Sequence, residues 1–299
     1  MRKNKLFWKS TVSLILIVSL MLTLLGGCAS KPADSSSSVP TDTKGTVDIG
    51  YVNWAECIAV SNLWKVILEE QGYEVTLTQL DAAPLFVGLS KGDIDVFMDS
   101  WLPITHGTYW AEYQDSLEDY GIWYEDPAKL GIVVPSYVTI DSIEELAGAA
   151  DQFNNEIIGI DPGAGIMAAT AAAQEAYGFD LEVIQGSEPA MMVSLEKAYD
   201  KNEWIAITGW SPHWMFAKFD LKYLEDPNGA YGEAEEIHTL AHKDFSSEQP
   251  EVAAMLKKFK MNDAQIGSLE ALINDGMEPT DAAVQWIADN QEIVNTWIG

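Results

Sequence analysis

Residues 46–80 read TVDIGYVNWAECIAVSNLWKVILEEQGYEVTLTQL, and this run predicts a strand, a helix and a second strand. Residues 47–52 are predicted as the first strand, and residues 74–80 alternate apolar and polar side chains as a half-buried strand does. Residues 56–70 between them form a helical stretch that stops before Gly72. Two strands joined by a helix make a parallel βαβ unit, so the sequence predicts an α/β fold.

A second unit of the same kind lies further along the chain. Residues 156–160 are predicted as a strand, residues 166–177 as an Ala-rich helix that stops at Gly178, and residues 181–185 as the next strand. Two such units with long crossovers predict two lobes, each built on a parallel sheet. Ligands bind beyond the carboxyl ends of the strands in open α/β sheets, so we expect one cleft between the lobes.

The remaining elements complete the two lobes. Helices are predicted at residues 84–91, 142–146, 189–199, 249–260, 263–274 and 279–297, and strands at residues 95–98, 130–134, 204–208 and 237–241. Ser142 followed by Glu145 fits a capping box at the start of one helix. We expect a discontinuous lobe 1 formed by residues 46–136 and 237–299, and a lobe 2 formed by residues 137–236.

The first 28 residues have the pattern of a secretion signal. A basic start is followed by an apolar run over residues 12–25 and then by Gly26, Gly27 and Cys28. A cysteine directly after small residues resembles a lipobox, which implies lipidation at Cys28 and anchoring to the cell membrane outside the cytoplasm. A plain transmembrane anchor is the alternative. Residues 29–45 are rich in Ser, Pro and Asp and are predicted to be a flexible tether.

The charge balance and the cysteine count exclude several classes of protein. The chain has 46 acidic and 17 basic residues and a formal net charge of −29. This excludes a general nucleic-acid binder, because phosphate recognition needs clustered Lys and Arg. Two cysteines are too few for a disulfide scaffold or a Cys-rich zinc site. With Cys28 lipidated, Cys57 has no partner in the chain and is predicted to be a small buried side chain.

Tryptophans mark the ends of three predicted strands. Trp54, Trp101 and Trp210 each lie where a predicted strand passes into a loop, at the edge that faces the cleft. Any one of them fits a core position, but three at equivalent places in both lobes indicate a shared site. A cation against an aromatic face gains roughly 0.5–2 kcal/mol. A box of Trp faces therefore suits a quaternary ammonium group, which cannot donate conventional hydrogen bonds.

A glycine-rich turn opens the helix that follows residues 156–160. Its Gly163-x-Gly165-x-x-Ala168 spacing matches a dinucleotide fingerprint, but that motif needs an acidic residue closing the next strand, which here ends in Gln185. Free amides at a helix N-terminus also bind a carboxylate, and we predict that use instead. His106, in a loop of the expected cleft, is placed to donate a hydrogen bond to the same carboxylate.

The other histidines and motifs do not call for catalysis. His238 and His242 have i, i+4 spacing, but they lie on a predicted strand and lack the Glu of the HExxH zinc motif. His213, between Trp210 and Trp214, fits a structural role as well as a functional one. The sequence has no G-x-S-x-G elbow, and no acid–base pair stands out among the carboxylates. We therefore predict a protein that is not an enzyme and uses no metal or cofactor.

Four segments of the chain resemble the substrate-binding lipoproteins of glycine betaine/proline betaine ABC transporters. They are YVNWAE, DSWLPITH, IDPGAGIM and TGWSPHWMF, and the likeness extends over residues 47–297. The resemblance implies a two-lobed, type II periplasmic-binding-protein-like α/β fold. In that family three Trp surround the ligand's trimethylammonium group, while two backbone amides and a His hold its carboxylate. The matching positions here are Trp54, Trp101, Trp210, Gly165, Ile166 and His106.

The resemblance also implies a function and partners. The chain would be a monomer that captures glycine betaine, or a related betaine, outside the cytoplasm and delivers it to an ABC transporter permease for osmoprotection. Choline and carnitine are alternative ligands. A sensor domain that presents betaine to a signalling receptor is an alternative role, and a secreted hydrolase or metal-dependent enzyme is another.

Overall fold

The computed structural model describes residues 43–299. Its strands are β1 (Thr46–Tyr51), β2 (Glu74–Gln79), β3 (Val96–Leu102), β4 (Leu117–Ile122), β5 (Lys129–Pro135), β6 (Glu156–Ile158), β7 (Glu182–Ile184), β8 (Ile207–Ser211), β9 (Leu221–Tyr223) and β10 (Glu236–His242). Its helices are α1 (Ala55–Glu70), α2 (Ala82–Lys91), α3 (Gly107–Tyr113), α4 (Leu146–Ala149), α5 (Gly165–Tyr177), α6 (Glu188–Tyr199), α7 (Met215–Lys218), α8 (Phe245–Glu248), α9 (Pro250–Leu256), α10 (Asp263–Asn274), α11 (Pro279–Asp289) and α12 (Gln291–Ile298). None of these helices is long and apolar enough to cross a membrane. The predicted secretion signal, Cys28 and most of the predicted tether lie outside the described residues.

Lobe 1 is built on a sheet with the strand order β2-β1-β3-β10-β4. β1 runs parallel to β2 and β3, whereas β10 is antiparallel to β3 and β4. Helix α1 packs against this sheet, and α10 and α11 from the C-terminal part of the chain pack against α1. The rings of Trp64, Trp286 and Trp297 stack inside this helical layer, and each is at most 2% exposed. These tryptophans are core residues.

Lobe 2 is built on a sheet with the strand order β7-β6-β8-β5-β9. β6 runs parallel to β7 and β8, and β5 is antiparallel to β8 and β9. Two sequence features of this lobe, a capping box and a helix-ending glycine, are found where the sequence predicts them. Ser142 and Glu145 form the capping box, although the turn that they cap is a short 3-10 helix (Ile143–Glu145). Gly178 ends α5 in the left-handed conformation, with φ 68°, which glycine adopts without strain.

The boundary between the lobes lies at other residues than the sequence predicts. β5 belongs to the sheet of lobe 2, so residue 136 is too late as the end of the first part of lobe 1. The chain crosses between β4 and β5, at residues 123–128, and returns between β9 and β10, at residues 224–235. An apolar strand fits either sheet. β5 pairs with β8 and β9, and Gly131 leaves room for the Tyr223 ring of β9, 2.9 Å from where a Cβ would lie.

Several element ends also differ from the sequence prediction. β8 covers Ile207–Ser211 instead of residues 204–208, and β3 continues to Leu102, so Trp101 and Trp210 lie inside strand ends. β4 and β9 were not predicted from the sequence; they are added at the sheet edges by antiparallel pairing with distant strands. The predicted tether ends before residue 45, because Lys44 Nζ lies 2.8 Å from Glu251 Oε2 and docks this segment on lobe 1.

Candidate functional site

A cavity of about 280 Å³ lies between the two sheets and is lined by residues of both lobes. From lobe 1 come Trp54, Glu56, Trp101, Thr105 and His106, and from lobe 2 come Leu130, Ile160, Ala164, Gly165, Ile166 and Trp210. All six positions singled out in the sequence are therefore brought together. A space of this size suits a compact molecule better than a dinucleotide.

The three predicted tryptophans are each fixed at a strand end or a helix start. Trp54 follows β1 and is the N-cap residue of α1, Trp101 is the sixth residue of β3, and Trp210 is the fourth of β8. Their exposed fractions are 5%, 3% and 3%, in the same order. All three line the cavity, so an enclosed ligand meets their indole rings.

Every one of these indoles donates its N–H to a carboxylate. Trp101 Nε1 lies 3.0 Å from Asp99 Oδ1, two residues earlier on the same strand. Trp54 Nε1 lies 3.1 Å from Asp161 Oδ2, and Trp210 Nε1 lies 2.8 Å from Glu56 Oε2. Because a buried indole N–H is costly to leave unpaired, these bonds fix the orientation of each ring.

Two carboxyl groups beneath the indoles are fully buried and have perturbed acidities. Burial raises the pKa of Glu56 well above its ordinary value, and the nearby charge of Asp99 raises it further. Burial likewise raises the pKa of Asp99 to about 7, although the bond from the Trp101 indole partly opposes this. A cation in the cavity would stabilise the ionised form of both groups, so the environment favours positive over negative ligand charge at this end.

His106 lines the cavity as a neutral hydrogen-bond donor. The Trp101 backbone N–H donates to its Nδ1 at 2.9 Å, so the ring carries its proton on Nε2. Burial lowers the pKa of His106 to about 3, which keeps the ring neutral at physiological pH. Nε2 is buried and has no hydrogen-bond partner within residues 43–299. A buried donor of this kind is costly unless a ligand accepts from it.

The helix α5 begins at the cavity wall. Gly165 and Ile166 are its first two residues, and the backbone N–H groups of a first helical turn have no partner within the helix. A Cβ on Gly165 would lie 2.2 Å from the carbonyl oxygen of Thr105 in lobe 1, so only glycine permits this approach. Thr105 is itself fixed by Glu235, whose Oε1 accepts from the Ile104 and Thr105 backbone N–H groups at 2.7 and 2.8 Å.

Comparison with known proteins identifies the family. Residues 45–289 match the substrate binding domain of ABC-type glycine betaine transport systems. The chain belongs to this family. The family is one of transport binding proteins, and the resemblance predicted from the sequence is thereby confirmed, together with the two-lobed α/β fold.

Individual relatives agree with this assignment. The chain is 41% identical over 150 residues to the glycine betaine/carnitine transport binding protein GbuC of Listeria monocytogenes, an alignment that covers 49% of this chain and half of that protein. Lactococcal OpuAC, crystallised in its closed-liganded conformation with glycine betaine, is 39% identical with a TM-score of 0.81 and covers 85% of this chain and 100% of that one. A choline binding protein in complex with choline is 28% identical with a TM-score of 0.78 and covers 85% of this chain and 91% of that one.

The remaining candidates predicted from the sequence do not line the cavity of this binding protein, although the His213 ring packs edge-on against Trp210 at 4.9 Å. His213 lies 3.1 Å from Glu188 Oε1 through Nε2 and accepts from the Met215 backbone N–H at 3.0 Å, so it joins α6 to the start of α7. His238 and His242 lie on β10, a strand, and face separate carboxylates. Cys57 is a free, buried thiol, as predicted.

The residues that position the site were not predicted from the sequence. Four acidic residues were not distinguished from the many others of the chain: Glu56, Asp99, Asp161 and Glu235. Trp54, Trp101 and Trp210 are called the box tryptophans below. For Asp99 and Glu56 a local signal was present, because each lies two residues from one of them. Asp161 and Glu235 act across long sequence distances; Asp161 lies in the segment IDPGAGIM, whereas no local pattern marks Glu235.

Proposed function

We propose that this chain is a binding protein, and not an enzyme, that captures glycine betaine outside the cytoplasm and delivers it to an ABC transporter permease. The observation that carries the proposal is one cavity lined by three indoles, by the unpaired N–H of His106 Nε2 and by the first residues of α5. A zwitterion with a quaternary ammonium group and a carboxylate matches both kinds of group. The family assignment supports the transport role.

The ammonium end of the ligand would lie against Trp54, Trp101 and Trp210. Each face contributes roughly 0.5–2 kcal/mol to a desolvated cation, and methyl groups pack well against aromatic carbon. The carboxyl groups that accept from the indole N–H groups lie behind the rings, and a bound cation favours their ionised forms. Neutral ligands of the same shape gain only the packing contribution.

The carboxylate end would accept hydrogen bonds from the Gly165 and Ile166 backbone N–H groups and from His106 Nε2. All three donors are oriented before the ligand arrives, and the N-terminal end of α5 favours negative charge. Since His106 is neutral, its contribution comes from a hydrogen bond and not from a full positive charge. This arrangement pairs donors that are otherwise costly to bury.

Choline remains the second candidate, because the chain is similar to a choline binding protein over 85% of its length. Choline has no carboxylate, so it would leave the donors at Gly165, Ile166 and His106 under-satisfied. Each buried donor that loses its partner costs about 1–3 kcal/mol. Betaine should therefore bind more tightly than choline, and carnitine must place a longer chain in the same small cavity.

The cellular setting is proposed from the sequence. We propose that Cys28 carries the lipid that anchors the protein to the membrane, that the following residues form the tether, and that the binding protein is a monomer serving osmoprotection. A betaine sensor would use the same cavity with a signalling partner. Capture of the protein by a betaine permease in a reconstituted membrane would favour the transport role.

Calorimetric titration of the purified chain against glycine betaine, proline betaine, choline and carnitine tests the proposed ligand. We expect saturable binding of glycine betaine with a stoichiometry of one and weaker binding of choline. Absence of heat and of any change in tryptophan fluorescence with all four compounds would refute the proposal.

A further inference from the structure

Two of the three indole hydrogen bonds cross from one lobe to the other, and they do so in opposite directions. Trp54 of lobe 1 donates to Asp161 of lobe 2, at 3.1 Å. Trp210 of lobe 2 donates to Glu56 of lobe 1, at 2.8 Å. Trp101 differs, because its acceptor Asp99 lies on the same strand.

These two bonds are made by the segments that also form the rest of the site. Glu56 lies two residues after Trp54, at the start of α1, and Asp161 lies four residues before Gly165, at the start of α5. Each segment therefore contributes a contact to the ligand and a contact to the opposite lobe. The box tryptophans are at most 5% exposed while these bonds join the lobes, so we expect a ligand to enter when the lobes separate.

Other bonds across the cleft do not involve the box. The Ala55 backbone N–H donates to Glu188 Oε2 at 2.7 Å, and the Tyr109 hydroxyl donates to the Gly163 carbonyl at 3.1 Å. The indole bonds are distinct from these, because each one orients an aromatic face. An indole without its acceptor keeps its hydrophobic contacts but loses the constraint on its rotation.

We propose that Asp161 and Glu56 are positioning residues that orient the box tryptophans of the opposite lobe, so that the aromatic box reaches its binding geometry only in the closed protein. This inference rests on the proposed function of the cavity as a betaine site. It makes lobe closure a part of ligand recognition, because the ring faces that select the cation are set by contacts that closure creates.

If Asp161 orients Trp54, its replacement should affect the dissociation rate of the ligand much more than the association rate. Ligand enters the open form, in which the indole bonds are absent, so Asp161→Ala should change the association rate constant less than about threefold. Loss of a hydrogen bond to a carboxylate from the closed form should raise the dissociation rate constant of glycine betaine about tenfold. Stopped-flow tryptophan fluorescence measures both constants.

A double-mutant cycle shows whether Asp161 acts through Trp54. Trp54→Phe keeps an aromatic face and removes the indole N–H, so Asp161→Ala added to Trp54→Phe should raise the dissociation rate constant less than about twofold further. Tyr109→Phe is the matched control, since it removes a hydrogen bond between the lobes that touches no box ring. Its effect should be the same with Trp54 and with Trp54→Phe.

The second bond is tested with Trp210→Phe, which removes the N–H donated to Glu56 without altering the fully buried carboxyl group. It too should raise the dissociation rate constant and leave association within about threefold. Independent, additive effects of Asp161→Ala and Trp54→Phe would overturn this inference while the betaine site stands. A wild-type chain that binds no betaine would overturn the proposed function and the inference with it.

Discussion

Replacing His106 separates recognition of the ligand carboxylate from every other contribution to binding. His106→Asn is the most informative change, because the Asn side-chain oxygen can take the place of Nδ1 and accept from the Trp101 backbone N–H, which lies 2.9 Å from Nδ1 in the wild type. The Asn side chain is too short to replace Nε2. The variant therefore removes the donor that points to the ligand and keeps the bond that supports Trp101.

The size of the effect follows from the state of Nε2. This donor is buried and unpaired within the described residues, so the ligand carboxylate gains a hydrogen bond without displacing another. A hydrogen bond to a charged acceptor contributes about 1.5–3 kcal/mol, which corresponds to a roughly 10- to 150-fold loss of betaine affinity. Choline has no carboxylate, so its affinity should change less than about threefold.

Calorimetric titration of wild type, His106→Asn and His106→Ala with both ligands measures the effect. The ratio of betaine to choline affinity is the decisive quantity, because loss of ring packing weakens both ligands equally and cancels. Since burial lowers the pKa of His106 to about 3, any change of betaine affinity near pH 7 should be the same in wild type and in His106→Asn. Equal losses for betaine and choline would refute the reasoning and make His106 a packing residue.

Three further predictions concern the box, the helix start and the buried carboxyl group. Trp101→Ala should weaken betaine binding by about 1–3 kcal/mol and Trp101→Phe by less; equal losses in titration would contradict the contribution of the aromatic face. Gly165→Ala should reduce betaine affinity more than about tenfold, because its Cβ meets the Thr105 carbonyl at 2.2 Å, whereas the control Gly163→Ala, with its nearest atom at 3.7 Å, should bind normally. Burial raises the pKa of Asp99 to about 7, so its stabilising effect is complete below pH 3.8 and is lost as the pH rises through 7. Thermal unfolding should show a weaker decline in stability over that window for Asp99→Asn than for wild type, and identical curves would contradict the assignment.

The site could be predicted from the sequence where the signal is local. Trp54, Trp101 and Trp210 are recognised because each lies at the end of an apolar strand, and Gly165 because it opens a helix after a glycine-rich turn. His106 was predicted as a donor but not as a neutral one. Its protonation depends on complete burial and on the Trp101 backbone, which only the folded chain supplies.

The parts that could not be predicted depend on pairing between distant segments. β5 is an apolar strand that fits either sheet, and its antiparallel pairing with β8 is a tertiary choice. Asp161 resembles any acidic loop residue until the lobes bring it to Trp54, 107 positions away in the sequence. Glu235 is equally inconspicuous, although it fixes the loop that meets Gly165.

Cys57 has a practical consequence for optical measurement. It is the one thiol among residues 43–299, and none of its surface is exposed. A chain produced without Cys28 would therefore leave thiol-reactive dyes free to label cysteines introduced elsewhere. Val193 on α6 of lobe 2 and Val284 on α11 of lobe 1 are 65% and 50% exposed. With a donor dye at one position and an acceptor dye at the other, lobe movement would change the energy transfer between the dyes. The fold is therefore a suitable scaffold for a fluorescent sensor of quaternary ammonium compounds.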